Sequence, residues 1–239
     1  MSDAGPLPSR SRPRGHAGAP ADSGGPAQSA LGASHHDLVR LPERPIQLRG
    51  SAIARGMLRL FGWRVQFDGL PARQGVLIVY PHTSNWDFVV GMFAKWSMGV
   101  PVAFWGKDKL FDLPLFGRWL RWLGGIPVDR NNPRGAVTAM VERFARARAR
   151  DEFLWLALSP EGTRSYCDSW RSGFYQVATQ ADVPLALAFF DYAAHRVGVD
   201  CFVRLSGDAE RDMTAIGQVL SAHRGLRPEL AAPVRLRQT

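Results

Sequence analysis

His82 and Asp87 are the two residues whose types and spacing best suit proton transfer. In one continuous helix, their five-residue offset would separate the side chains by roughly 7.5 Å of rise and about 140° of rotation, so they could not pair. His82 must therefore precede the helix, a placement that Pro81 and the potential helix cap Ser84 favour. From the first helical turn, the Asp87 carboxylate can then hold one imidazole nitrogen while the other takes a proton.

Two other observations bear on this spacing. Ser84 and Asp87 also match the Ser-x-x-Asp pattern of a helix capping box, which would explain the aspartate without any catalysis. The same spacing recurs at His195 and Asp200, where the context is strand-like and an odd offset directs the side chains to opposite faces of a strand. The spacing alone therefore does not establish a catalytic pair.

A second polar segment, residues 124–130, has the sequence Gly-Gly-Ile-Pro-Val-Asp-Arg. Its Arg130 emerges from a short predicted strand, and a guanidinium at a strand end can bind a phosphate through two parallel hydrogen bonds. An ordinary surface turn at Asp129 and Arg130 would explain the same residues without a ligand. This segment taken alone leaves both interpretations open.

A third polar segment, residues 159–165, follows the most apolar predicted strand of the chain and contains Glu161, Gly162, Thr163 and Arg164. Open α/β sheets bind ligands beyond the carboxyl ends of their strands, so this composition predicts a polar ligand site. Arg164 would bind an anionic headgroup, and Glu161 would orient that group or accept a hydrogen bond from an acceptor hydroxyl. The alternative is a solvated turn with a local ion pair.

The elements that must position these segments are typical of an α/β domain. From residue 50 onwards, short β-rich apolar runs alternate with helical periodicity, which predicts a single domain with a mostly parallel or mixed sheet flanked by helices. Strands are predicted at 75–80, 101–105, 126–128, 153–158, 185–192 and 197–205, and helices at 52–63, 85–97, 113–123, 133–150, 174–179 and 208–220. His82 and the third segment then each follow a strand directly.

The ends of the chain differ in composition from this domain. Residues 1–45 are rich in Gly, Pro, Ser, Ala and Arg, which predicts a disordered basic tail, and they lack the apolar core of a signal peptide. Residues 226–239 are also basic and are predicted to be loose. The domain is therefore expected to occupy residues 46–225, in the cytoplasm.

The formal net charge of +9 comes almost entirely from arginine, which suits phosphate groups, anionic lipid surfaces and nucleic acids alike. No zinc-ligand spacing, RNA-recognition consensus or basic zipper occurs, so we expect no nucleic-acid partner. The most apolar stretch, residues 88–105, is interrupted by Lys95 and Pro101 and falls short of the roughly 18 uninterrupted apolar residues of a spanning helix. We expect the chain to lie on an anionic membrane surface through the helices 52–63 and 113–123.

In their order along the chain, the three segments resemble the motifs of the 1-acylglycerol-3-phosphate acyltransferase family. The family pattern is His-x-x-x-x-Asp, then Gly-x-x-x-Val-Asp-Arg, then Glu-Gly-Thr-Arg-Ser, and it is matched by residues 82–87, 124–130 and 161–165. The resemblance covers about residues 50–205 and implies a glycerol-phosphate-acyltransferase-like fold. It also implies a peripheral enzyme of phospholipid synthesis on the inner face of the membrane.

The same resemblance implies the reaction and the role of each residue. An acyl group would pass from acyl-CoA or acyl carrier protein, without a cofactor or metal, to a lysophospholipid hydroxyl, with 1-acylglycerol-3-phosphate as the default acceptor. His82 would be the general base and Asp87 its partner. The implied substrate-binding residues are Lys107, Arg130, Glu161, Gly162, Thr163, Arg164 and Arg171.

The sequence departs from the family pattern at two places. Lys109 stands where the family usually has Glu, and the segment beginning Val183-Pro184 lacks the second proline of the fourth family motif. These departures concern the acceptor more than the chemistry, so an acyltransferase with a different polar-lipid acceptor remains an alternative. A basic lipid-binding or nucleic-acid-binding module without catalysis is a second alternative. No Gly-x-Ser-x-Gly motif occurs, which argues against a serine hydrolase.

Overall fold

The computed structural model describes residues 39–129 and 132–237. The predicted N-terminal tail lies outside the described residues up to position 38, and so does Arg130. The strands are β1 Val39–Arg40, β2 Arg64–Gln66, β3 Gln74–Tyr80, β4 Val102–Lys107, β5 Gly125–Val128, β6 Leu154–Leu158, β7 Leu185–Asp191 and β8 Arg196–Arg204. The helices are α1 Ala52–Leu60, α2 Trp86–Met98, α3 Asp108–Phe111, α4 Pro114–Trp122, α5 Pro133–Ala149, α6 Gly173–Gln180 and α7 Ala209–Leu220.

These strands form one mixed sheet, as the sequence predicts. The order is β1-β8-β7-β3-β6-β4-β5, and β2 also pairs with β8. The strands β7, β3, β6, β4 and β5 run parallel to one another, whereas β8 is antiparallel to both β7 and β1. The carboxyl ends of five neighbouring strands therefore lie along one edge of the sheet.

Helices cover the sheet on both faces because the strand side chains alternate in direction. In β3, Val76 and Ile78 pack with the buried stripes of α5, α6 and α7. Leu77 faces the opposite side, where it packs with Trp155 and Phe202. The strand β7 is buried over its whole length, which is typical of a strand covered on both faces.

The helices α1, α2 and α4 share an unusual feature, which is that they expose several large apolar side chains to solvent. In α1, Ala54 and Leu58 are buried, whereas Ile53 is 81% exposed and Leu60 is 75% exposed. The exposed large apolar residues of α2 and α4 are Trp86, Val89, Trp96, Leu115, Phe116, Trp119 and Trp122. No helix within the described ranges is long and apolar enough to cross a bilayer.

The C-terminal segment is part of the folded domain, so the predicted loose tail is wrong as far as residue 237. Ala232 is fully buried, and its carbonyl oxygen accepts a hydrogen bond from the hydroxyl of Tyr80 at 2.9 Å. The backbone N–H of Trp170 donates to the carbonyl of Arg235, and that of Arg237 donates to the carbonyl of Trp170. These bonds hold an irregular segment that has no hydrophobic periodicity, which explains why the sequence pattern does not indicate it.

Candidate active site

The residues predicted to carry the chemistry follow neighbouring parallel strands. His82 follows β3, the segment with Arg164 follows β6, Lys107 ends β4, and Asp129 follows β5. These four strands are adjacent in the order β3-β6-β4-β5, so their carboxyl ends span about 14 Å at the usual strand spacing. The fold thus brings three segments that are distant in sequence to one edge of the sheet. Arg130, the next residue after Asp129, lies outside the described residues.

His82 lies in the loop between β3 and α2, as its spacing from Asp87 requires. Its side chain is half-buried, and its Nδ1 is 3.2 Å from Oδ2 of Asp87, which is 1% exposed in the first turn of α2. The two atoms are within ion-pair distance, but they lack the alignment of a hydrogen bond. Catalytic hydrogen bonds are often loose before substrate binds. An N–H at Nδ1 directed at Asp87 makes Nε2 the nitrogen that can accept a proton.

The Asp87 carboxylate makes both contacts that the sequence left as alternatives, one with the side chain of His82 and one with the backbone of Ser84. Its Oδ2 accepts the backbone N–H of Ser84 at 2.9 Å, which is one of the two bonds of a capping box, and also faces His82. Its Oδ1 accepts the hydroxyl of Tyr192 at 2.7 Å. The hydroxyl of Ser84 in turn accepts the backbone N–H of Trp86. The cap therefore orients the carboxylate that faces His82.

The carboxylate of Glu161 contacts the protein backbone, which the sequence did not predict. The residue is 4% exposed, and its carboxylate accepts the backbone N–H of His82 at 2.7 Å and that of Ala232 at 3.1 Å. Burial raises the pKa of Glu161 above its ordinary value. The hydrogen bonds from the two backbone N–H groups and the electrostatic attraction of the His82 side chain oppose that rise. Both carboxylate oxygens are thus occupied within the protein. Glu161 joins the His82 loop to the C-terminal segment instead of facing an acceptor.

The cationic side chains of the predicted substrate site are exposed at the same edge. Arg164 and Lys107 are exposed, and so is Arg171. Gly162 has a φ of +66°, which favours glycine, and the side chain of Arg171 approaches it so closely that a Cβ there would lie 2.6 Å from Nε. The hydroxyl of Thr163 accepts the backbone N–H of Ser165 and so shapes the turn.

These three cations have no carboxylate partner in the part of the chain that the structure describes. No ion pair within 4.0 Å involves Lys107, Arg164 or Arg171 among residues 39–129 and 132–237. Exposed cations that converge on one edge without a protein partner can bind an anionic group of a ligand. The edge of the sheet therefore holds a histidine that can act as a base and three cations that can bind an anionic group.

Three contacts around the His82 loop had no signal in the local sequence. Thr83 is buried, and its hydroxyl accepts the backbone N–H of Arg227, which is 144 positions away. Tyr192 reaches Asp87 across 105 positions, and Ala232 reaches Glu161 across 71 positions. The position of Tyr192 at the carboxyl end of β7 is the one feature that could have indicated its contact with the site, because open parallel sheets bind ligands beyond that end of their strands.

The site consists of a His–Asp pair and several cations along the carboxyl edge of a mixed sheet in an α/β fold. Such a site is suited to base-catalysed group transfer. Residues 64–186, just over half of the chain, match the family model described as Acyltransferase, and the chain belongs to this family. The matched range contains His82, Asp87, Lys107, Glu161 and Arg171. Family membership supports acyl transfer as the chemistry of this site, and it does not identify the acceptor.

Two similar proteins carry more specific names. The 1-acyl-sn-glycerol-3-phosphate acyltransferase of Streptococcus pneumoniae (strain ATCC BAA-255 / R6) is 27% identical over 137 residues, which cover 54% of this chain and 49% of that protein. The present chain thus matches about half the length of this curated relative. The crystal structure of the 1-acyl-sn-glycerophosphate (LPA) acyltransferase PlsC from Thermotoga maritima matches 71% of this chain and 74% of that chain, with a TM-score of 0.48 and 17% identity.

Proposed function

We propose that the protein transfers an acyl group from an acyl thioester to the hydroxyl of a lysophospholipid, with 1-acylglycerol-3-phosphate as the acceptor. The observation that carries this proposal is the His82–Asp87 pair at the carboxyl edge of the sheet, beside exposed cations without carboxylate partners. The Acyltransferase family match and the name of the pneumococcal relative support it. The pair supplies a base, and the cations select an acceptor with a phosphate.

The proposed reaction is a direct transfer. Nε2 of His82 takes the proton of the acceptor hydroxyl while the hydroxyl oxygen forms a bond to the thioester carbonyl carbon. The tetrahedral intermediate then collapses, the carbon–sulfur bond breaks, and the leaving thiolate takes the proton from the imidazolium to become a thiol. Asp87 stabilises the imidazolium between these two steps. The sequence of steps forms no covalent acyl-enzyme and leaves His82 in its starting state.

The acyl donor in this proposal is acyl-CoA or the thioester of an acyl carrier protein. A thioester is already activated towards attack by an oxygen nucleophile, so the reaction as written requires no further cofactor. The acceptor phosphate would be bound by Lys107, Arg164 and Arg171, together with Arg130, which the family resemblance assigns to the same task. A guanidinium suits this task because its planar shape can donate two parallel hydrogen bonds to one phosphate.

Replacing Arg164 with lysine or alanine should weaken acceptor binding. A charge-assisted hydrogen bond contributes about 1.5–3 kcal/mol, so full loss in Arg164→Ala should raise the acceptor KM roughly tenfold to hundredfold. Lysine keeps the charge but not the planar geometry, so Arg164→Lys should cost less than alanine. The thioester KM should stay within about twofold, because in this proposal Arg164 binds the acceptor and not the donor. Steady-state kinetics with acyl-CoA and 1-acylglycerol-3-phosphate measures both constants.

Two comparisons control this experiment. Arg143→Ala removes an exposed arginine of α5 and should leave both constants unchanged. A monoacylglycerol, which lacks the phosphate, should be a poor acceptor for the wild type, and Arg164→Ala should lose the preference between the two acceptors. Equal use of both acceptors by the wild type would contradict the phosphate assignment and favour another polar-lipid acceptor. No turnover with either acceptor would favour a binding module without catalysis.

We propose further that the outward faces of α1, α2 and α4 bind a membrane surface. The helix α1 packs against α2, and α2 contacts α4 through Phe88 and Trp119, whose ring centroids are 6.4 Å apart. Nζ of Lys95 also donates to the carbonyl of Leu123 beyond α4 at 2.6 Å. Large exposed apolar surfaces are uncommon on soluble monomers and mark interaction sites, and exposed tryptophans are typical of the lipid–water interface. The surface includes Trp86, the residue before Asp87, so a lipid acceptor could reach His82 without leaving the bilayer.

The double variant Ile53→Asp/Leu60→Asp should lose most of its binding to lipid vesicles. Burial of such a side chain contributes about 1.5–3 kcal/mol, so losing two should weaken binding by a hundredfold or more. Both side chains are exposed in the folded protein, and its melting temperature should therefore change little. Sedimentation with vesicles measures binding, and high salt should release only the electrostatic part.

The matched control is Val39→Asp, which changes an exposed apolar residue of the edge strand β1, outside the three helices. This variant should bind vesicles like the wild type. Complete release of the wild-type protein by salt would contradict the apolar contribution and would leave only the arginine-based attraction that the composition suggests.

A further inference from the structure

Tyr192 is a partner of the site that lies outside the family match, which ends at residue 186. It directly follows β7, the strand next to β3, so its side chain is at the same carboxyl edge as His82. Its hydroxyl donates to Oδ1 of Asp87 at 2.7 Å. The phenol therefore contacts the carboxylate that faces the proposed base.

We propose that Tyr192 is a positioning residue for acyl transfer, which holds the Asp87 carboxylate so that its other oxygen stays directed at Nδ1 of His82. This inference rests on the proposed function of His82 as the general base. Tyr192 touches neither substrate in this account and acts only through Asp87.

The hydrogen bonds of Asp87 explain why a second donor matters. Oδ2 accepts from the backbone N–H of Ser84 and faces His82, whereas Oδ1 has Tyr192 as its donor. The terminal torsion of an aspartate is broad, so one hydrogen bond alone does not fix the plane of the carboxylate. Donors on both oxygens restrict its rotation. Since the side chain of Asp87 is fully buried, water cannot easily replace the phenol of Tyr192 as the donor to Oδ1.

Two contacts fix the phenol itself. The ring of Tyr192 meets the ring of Trp63 edge to face, with centroids 4.9 Å apart and an interplanar angle of 87°. Its backbone N–H donates to the carbonyl of Arg224 at 2.8 Å, so the C-terminal segment holds this position too. Burial, followed by the hydrogen bond and the negative charge of Asp87, raises the pKa of Tyr192 well above its usual range. The hydroxyl consequently keeps its proton and remains a donor.

Tyr192→Phe removes the hydroxyl and keeps the ring, so it isolates this hydrogen bond. The freed carboxylate should orient His82 less well, and kcat should fall roughly tenfold. Without the donor, the negative charge of the carboxylate is less stabilised, so Asp87 favours a proton on the imidazole more strongly. The acidic limb of the rate profile should therefore move to higher pH, by up to about one pH unit.

Tyr175→Phe is the matched control, because the hydroxyl of Tyr175 also donates to a buried carboxylate, Oδ2 of Asp212, at 2.7 Å. That pair joins α6 to α7 on the opposite face of the sheet from α1 and α2. Both variants should lower the melting temperature by similar amounts. The control should keep the wild-type kcat and pH profile, which separates positioning from a general loss of stability.

The titration of the His82 ring, followed by NMR of histidine-labelled protein, gives a readout that does not depend on turnover. Tyr192→Phe should move this titration to higher pH, and Tyr175→Phe should not. An unchanged His82 titration in Tyr192→Phe would overturn the proposal, and so would equal shifts in both variants. If the titration moves but the wild type has no acyl transfer, the positioning role of Tyr192 stands and the proposed function fails.

Discussion

His82→Ala is expected to lower turnover by roughly a hundredfold to ten-thousandfold while the fold stays nearly intact. The size of the effect follows from the loss of the group that, in the proposed reaction, takes the acceptor proton. The fold should survive because the side chain is half-buried and its side-chain polar contact is the one with Asp87. Steady-state turnover and a melting curve measure the two quantities.

Asp87→Asn tests whether the pair acts as a unit. This variant should lose much of the same rate, and the double variant with His82→Ala should lose little more than His82→Ala alone, since both residues serve one proton transfer. Additive losses would contradict the pairing. They would indicate that Asp87 serves the hydrogen bond to Ser84 and the start of α2 instead.

Glu161→Ala is expected to have the second-largest effect, on both rate and stability. The change leaves the backbone N–H groups of His82 and Ala232 without their acceptor. The loss should reduce the free energy of unfolding by about 1–3 kcal/mol at the buried Ala232 and by less at the part-buried His82. The His82 loop should then sample other positions, and kcat should fall roughly tenfold to hundredfold. Melting curves and turnover measured on the same preparation test both expectations.

Glu161→Gln is the more selective variant because it keeps the volume and one acceptor oxygen. Its amide nitrogen would face an N–H donor, so one of the two hydrogen bonds should be lost and the effects should be smaller than those of alanine. If Glu161 holds the His82 loop in position, the acceptor KM should change little. If Glu161 binds the acceptor, as the family resemblance implies, the acceptor KM should rise. A large rise in the acceptor KM with unchanged kcat and stability would show that Glu161 binds the acceptor.

The central part of the fold could be predicted because its elements are periodic and bounded by turn residues. The helix α5 begins at Pro133 and buries Val137, Met140 and Phe144 at helical spacing, and β6 is a continuous apolar run. The strands β1 and β2 were missed because two or three residues cannot display a period. The short helix α3 was missed for the same reason.

The candidate site could be predicted only as far as local motifs allowed. His82 and Asp87 form a pair within one segment, and their spacing required the observed loop-to-helix placement. The partners Tyr192, Arg227 and Ala232 come from distant segments and bind mainly through a hydroxyl or the backbone, which leave no pattern in the sequence. The contacts of Glu161 with the backbone of His82 and Ala232 could not be predicted, because its motif indicates a polar group but not the direction in which that group points.

Release of free thiol from acyl-CoA by the purified protein tests the central claim most directly. With 1-acylglycerol-3-phosphate present, we expect thiol and diacylated product to form at equal rates, and His82→Ala should lower both rates roughly a hundredfold or more. Without an acceptor, thiol release should be negligible, since the proposed transfer is direct and uses the acceptor hydroxyl, not water, as the nucleophile. Thiol release that is independent of acceptor, or turnover by His82→Ala at the wild-type rate, would contradict the account.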